Sequence, residues 1–229
     1  MGICASECVI GIGVSGCVID WVATGSMLQG VGTIAGAVAV IWAANKGTDT
    51  YASWRKQQFS GRRFAEAERI LTATYNAQNA LKYVRGPLVE AAESIEAKDM
   101  LEVKPGWSDI SDIRKERLIS AQVFHNRMNR VLDIRNSLLS CSGISNALFD
   151  ENLKAAIEKL NSQFNIIYVN IRSYEEDYRE LNPNFTQQIR RALVDTDSGG
   201  EDKNIMTENI TKSVSIIESY CLPILRMTE

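Results

Sequence analysis

The residues capable of chemistry are few and scattered. His125 is the only histidine among 229 residues. Nucleophilic catalysis by Ser or Cys needs an adjacent base. This lone imidazole has no cysteine or acidic cluster in its own sequence neighbourhood, so it reads as structural or solvent-facing. The five cysteines (Cys4, Cys8, Cys17, Cys141 and Cys221) form no Cys-x-x-Cys pair, which argues against a zinc site and a disulfide framework. Asp195-Thr-Asp197-Ser-Gly199-Gly200 begins with the spacing of a calcium loop. Its fifth position is Gly199, however, and its twelfth, which must supply a bidentate glutamate, is Met206. Gly-x-Ser-x-Gly, phosphate-loop and dinucleotide-binding patterns are absent. The expectation is a non-enzymatic protein with no catalytic residue, no cofactor and no metal.

Charge distribution is more informative. The net charge is −3, but none of the 25 lysines and arginines precedes Lys46. Residues 1–45 carry only Glu7 and Asp20. Residues 46–85 hold eight basic and three acidic side chains, and residues 86–229 hold 17 and 23. With a pI near 5.4, direct nucleic-acid binding is not expected. The order implies a membrane segment over 1–45 and a cytoplasmic helical domain over 46–229.

Residues 21–45 contain no charge. The dense part, residues 27–44, would rise about 27 Å as a helix, close to the roughly 30 Å hydrocarbon core. Trp42 suits an interfacial anchor. Residues 3–22 are apolar but interrupted by Glu7 and Asp20. Two crossings, with a tight turn at Ala23-Thr24-Gly25-Ser26, are favoured over one crossing plus a buried or interfacial N-terminal helix. Glu7 and Asp20 are either interfacial residues at helix ends or functional membrane acids. Gly32 and Gly36, extended by Ala39 and Ala43, form a small-residue face suited to close helix packing. Its partner is either the chain's own first helix or another copy in a homo-oligomer. The basic collar Lys46, Arg55, Lys56, Arg62 and Arg63 places the large domain on the cytoplasmic side of the bilayer.

The remainder reads as an antiparallel bundle of four principal helices with smaller additions, so the fold class is all-α with an N-terminal transmembrane hairpin. Helices are expected over about 50–84, 87–98, 111–140, 153–181, 184–194 and 203–226. Gly47 is a candidate joint. Leu153, Ile157, Leu160, Phe164, Ile167, Ile171, Tyr174, Tyr178 and Leu181 recur at alternating spacings of 4 and 3. That is a helix-pairing seam, used within the domain or between chains. Glu175, Glu176, Asp177 and Glu180 read as a solvated acidic face opposite it.

Five features resemble a known layout. They are the Gly- and Ala-rich membrane helix, Trp54-Arg55-Lys56-Gln57, Arg62 to Ala67, Ala73-Thr74-Tyr75-Asn76-Ala77 and Tyr83-Val84-Arg85-Gly86-Pro87. Over about residues 27–90 the chain resembles small bacterial two-transmembrane proteins with a helical cytoplasmic domain, a build used by anti-phage effectors, retron effectors included. The resemblance carries over no functional residue. It implies a toxin-like inner-membrane effector of abortive infection, restrained by a cytoplasmic protein or ribonucleoprotein partner and acting on the lipid bilayer when released. The alternative is a membrane-anchored adaptor or scaffold.

Overall fold

The structure is a computed structural model. It describes residues 21–177, 179–180, 182–195 and 204–226, with side chains for all of these but 21–28 and Asp49. The described residues are helical, without strands: α1 (Trp21–Val84), α2 (Ala91–Glu102), a 3-10 turn (Trp107–Asp109), α3 (Asp112–Arg130), α4 (Leu132–Leu148), α5 (Glu151–Glu176), α6 (Pro183–Leu193) and α7 (Ile205–Leu225). Two compact units divide between Gln57 and Gln58, inside α1. The compositional boundary at residue 45 lies within the first unit.

The transmembrane hairpin is not found. Ala23 to Ser26, the expected turn, are helical residues of α1. Gly25 costs a helix only about 1 kcal/mol, and no proline enforces a stop. The same holds at Gly47, which lies within α1 and makes no joint. The expected first crossing, with Glu7 and Asp20, falls mainly outside the described residues. Among the described residues no helix is long and apolar enough to cross a membrane. Of the apolar run, residues 29–44 have described side chains and would rise about 24 Å.

In the second unit, α1 stops where the sequence indicates. The Gly86 amide donates to the Tyr83 carbonyl at 3.2 Å, and Pro87 follows. A Cβ at Gly86 would meet that carbonyl at 3.2 Å, so glycine suits the turn. Gly106, at φ 82°, opens the 3-10 turn in a left-handed conformation that favours glycine. The later helices carry their own start signals. Asn182 Oδ1 accepts from the Phe185 amide with Pro183 in the first turn of α6. Asn204 Oδ1 accepts from the Met206 amide at the start of α7.

The helix expected over 111–140 is two helices. Val131 leaves helical geometry at φ −105°, ψ 7°, and separates α3 from α4. Its side chain stays in the core at 5% exposure, so Phe124, Met128, Val131 and Leu138 still share the buried face. Ser142-Gly143 does not end α4, which runs on to Leu148. Ser142 Oγ donates to Glu158 Oε1 at 2.9 Å, and the buried Ser145 hydroxyl donates back to the Ser142 carbonyl.

Helix α5 is the centre of the unit and packs against α3, α4, α6 and α7. Leu153, Ile157, Leu160, Phe164, Ile167 and Ile171 are all fully buried. From the second part of α1, Ala67, Ile70, Ala77, Leu81 and Val84 join the same core, as do Met206, Ile210, Val214, Ile217 and Cys221 of α7. The seam therefore works within the domain. Its helix ends at Glu176, with Tyr174 partly buried against the core. Tyr178 and Leu181 lie outside the described residues.

Candidate functional site

The residues singled out in α1 fall into an exposed stretch. Val31, Ile34, Val38, Val40, Ile41 and Trp42 are each 60–69% exposed. A Cβ built at Gly32 or Gly36 meets nothing within 4 Å. Ala39 and Ala43 are exposed as well. Beyond them, Lys46, Arg55, Lys56 and Arg62 are exposed, while Arg63 is half-buried. The Arg63 guanidinium sits 5.3 Å from the centroid of the Phe149 ring, so this collar residue belongs to the bundle. Tyr51 and Trp54 place their rings 6.0 Å apart among the collar cations, both more than half exposed.

A second arrangement went unread in the sequence. Arg117 of α3 is 8% exposed. Its guanidinium carbon lies 4.1 Å from the centroid of the Tyr174 ring. One of its terminal nitrogens donates to the Asp177 carbonyl at 3.0 Å and to Glu180 Oε1 at 2.6 Å. Arg190 of α6 donates to that same oxygen at 2.5 Å. The hydrogen bond from Arg117 holds the Glu180 carboxyl below its ordinary range, with Arg190 adding to the effect. These residues line an open cleft of about 610 Å³ together with Ser111, Glu116, Ser120 and Arg179. Glu180 has φ 47°, the single positive value at a non-glycine among the described residues.

The acidic run stays at the surface, with Glu176 and Glu180 exposed, but three of its four members have partners. Glu175 Oε1 lies 2.9 Å from His125 Nε2, which ties α5 to α3. Asp177 Oδ2 accepts from the Thr186 hydroxyl, and Glu180 holds two arginines. Glu176 alone of the four is exposed with no such bond described. His125 also packs its ring edge-on against Tyr168, 5.8 Å away, in keeping with a structural role.

Two further buried arginines fasten the unit. Arg85, 1% exposed, donates to the Ala192 and Arg191 carbonyls and to the Thr207 hydroxyl. Burial pushes its pKa down, and Asp195, 3.5 Å away, opposes that. Asp195 thus caps a structural knot, while Asp197, Gly199 and Gly200 lie outside the described residues. Arg127, 3% exposed, is clasped by Glu93 and donates to the Gly86 and Leu88 carbonyls.

A signal for the cleft was present. Arg117 sits four and seven residues before Ala121 and Phe124, in phase with a buried face. A cation in that phase must find acceptors, because burying an unpaired charge is prohibitive. Glu180 and Arg190 carried no comparable sign, since their meeting depends on the turn between α5 and α6.

Among the described residues no group of three or more His, Cys, Asp or Glu side chains is placed to hold a metal. No family model, curated protein or solved structure matches the chain.

Proposed function

We propose that the protein is a non-enzymatic inner-membrane effector. Its helical bundle is held by a cytoplasmic protein or ribonucleoprotein partner, and the first part of α1 perturbs the bilayer on release. The observation that carries this is the exposed apolar stretch in α1, which has no polar face from Val31 to Trp42. Such a surface in water is unfavourable by about 25 cal/mol per Å², so a cover is expected. Lipid is the cover we favour, because the stretch is followed by Tyr51, Trp54 and the cations Lys46, Arg55 and Lys56. Amphipathic aromatics and cations of this kind belong at a headgroup boundary.

The attachment we propose is by α1 itself rather than by a hairpin. Residues 21–45 are helical and carry no charge, and together they rise about 37 Å. Gly32 and Gly36 then offer a close-approach face to a second copy within the bilayer.

A membrane-anchored adaptor is the second reading. It is favoured by a core whose described members begin at Ala67, within the second unit.

Membrane potential in bacteria expressing the full chain without its partner separates the two. The effector reading expects depolarisation, its weakening by Gly32→Leu, and its loss when residues 21–45 are replaced by an unrelated membrane helix. An unchanged potential, with Gly32→Leu behaving as the parent, overturns it. Function preserved after the anchor exchange assigns the adaptor role instead.

A further inference from the structure

We infer that the cleft between α3, the α5–α6 connection and α6 is a binding site for a small phosphomonoester, with Arg117 and Arg190 exchanging the Glu180 carboxylate for the phosphoryl group.

Three arginines, Arg117, Arg179 and Arg190, line one cavity. Two of them converge on a single oxygen, Glu180 Oε1, at 2.6 and 2.5 Å. Guanidinium groups present a planar fork that suits phosphate oxygens. A phosphomonoester carries three acceptor oxygens and a charge of roughly −1.5 to −2 near neutral pH. It can thus serve more of these donors than the one oxygen now shared. The glutamate occupies the place an incoming anion would take.

The occupant is also easily displaced. The Glu180 side chain is 43% exposed, and that of Arg190 is 58% exposed, so neither is locked by packing. Glu180 reaches the arginines from a left-handed backbone, a conformation unfavourable for an L-residue. Arg117, by contrast, is fixed: it is buried, lies against Tyr174 and bonds the Asp177 carbonyl. A preset cation facing a movable acid is the arrangement of a site with an internal stand-in.

Volume decides the ligand's size. A cavity of about 610 Å³ exceeds what a bare phosphate needs and falls in the range of small-molecule sites, about 300–1,000 Å³. Once Glu180 swings aside, Arg117 and Arg190 lose the acid they share, and Glu116 is the other acid among the lining residues. The Ser111 and Ser120 hydroxyls are available to a sugar or similar polar body.

The test is calorimetric titration of the purified full chain with ribose 5-phosphate and AMP, with adenosine, inorganic phosphate and a phosphoserine peptide as comparison arms. Saturable binding of at least one phosphomonoester is expected, tighter than inorganic phosphate and absent with adenosine. Arg190→Ala should weaken it about tenfold or more, the loss of a charge-assisted contact. Glu180→Gln should tighten it several-fold by removing the competing charge. Both positions are exposed, so neither variant threatens the fold. The inference is overturned if neither phosphomonoester binds the parent or Glu180→Gln up to about 10 mM, or if Arg190→Ala leaves binding unchanged. It is equally overturned if adenosine or inorganic phosphate binds as well, or if the phosphoserine peptide alone binds, which would make the site one for a protein partner.

Discussion

Arg127 and Glu93 form a paired fork: Nε donates to Oε1 at 2.9 Å, and a terminal nitrogen donates to Oε2 at 2.6 Å. The pair joins α3 to α2, with side-chain exposures of 4% and 11%. The same guanidinium donates to the Gly86 and Leu88 carbonyls, so it also secures the turn that ends α1. Glu93 in addition accepts from the Glu90 amide as part of the α2 capping box. One ion pair therefore fastens three helices.

Breaking it from one side leaves a nearly buried carboxylate with only the half-exposed Arg130, 3.7 Å away, as a cation. Arg127→Met should lower unfolding free energy by about 3–5 kcal/mol in chemical denaturation. Adding Glu93→Leu should recover much of that loss, because the stranded charge is then gone.

The pair also predicts a pH dependence. The hydrogen bond from Arg127 lowers the Glu93 pKa below its ordinary 4.5, outweighing the burial that would raise it. The folded state therefore favours the ionised form. The stabilisation is fully present above the ordinary value and is lost as pH falls through the depressed folded value. Thermal midpoints of the parent should fall as pH drops below about 4.5, with a shallower fall in Glu93→Gln.

Packing around α5 supplies the next expectation. Phe164 is fully buried in the core, beside Leu160 and Ile167 of the same seam. Phe164→Ala should cost about 3–5 kcal/mol, and Ile157→Val about 0.5–1.5 kcal/mol, in the same denaturation assay. Gly32→Leu, at a position where an added Cβ meets nothing within 4 Å, should leave the bundle's midpoint unchanged.

The collar can be tested on vesicles. Reversing Lys46, Arg55 and Lys56 to glutamate should weaken flotation of the full chain with phosphatidylglycerol vesicles and have little effect with neutral ones. Each cation near an anionic surface is worth about 1 kcal/mol. Equal flotation of parent and variant on anionic vesicles would remove the collar from the account.

What was legible in the sequence follows from periodicity. The seam from Leu153 to Ile171 is buried as its spacing requires, because a helix of this length must place one stripe inward. Gly86 with Pro87 marked the end of α1 by fixed chemistry, whereas Asn182 with Pro183 opens α6 and does not end α5, which stops at Glu176. The break at Val131 left no trace, since one residue out of helical geometry preserved the phase between Met128 and Leu138. The turn expected at Ala23 to Ser26 followed from its small residues, which a helix tolerates when nothing else interrupts it. Charge partners were the least visible. The partners of Glu175, Asp177 and Glu180 had no sign in the sequence, because His125, Thr186, Arg117 and Arg190 meet them only through tertiary packing.

Attachment of the chain to the bilayer by α1, as proposed, is tested by alkaline carbonate extraction of membranes from bacteria making the full chain. The full chain should stay in the membrane pellet and move to the supernatant when residues 21–45 are deleted. Release of the intact chain into the carbonate supernatant would rule the attachment out.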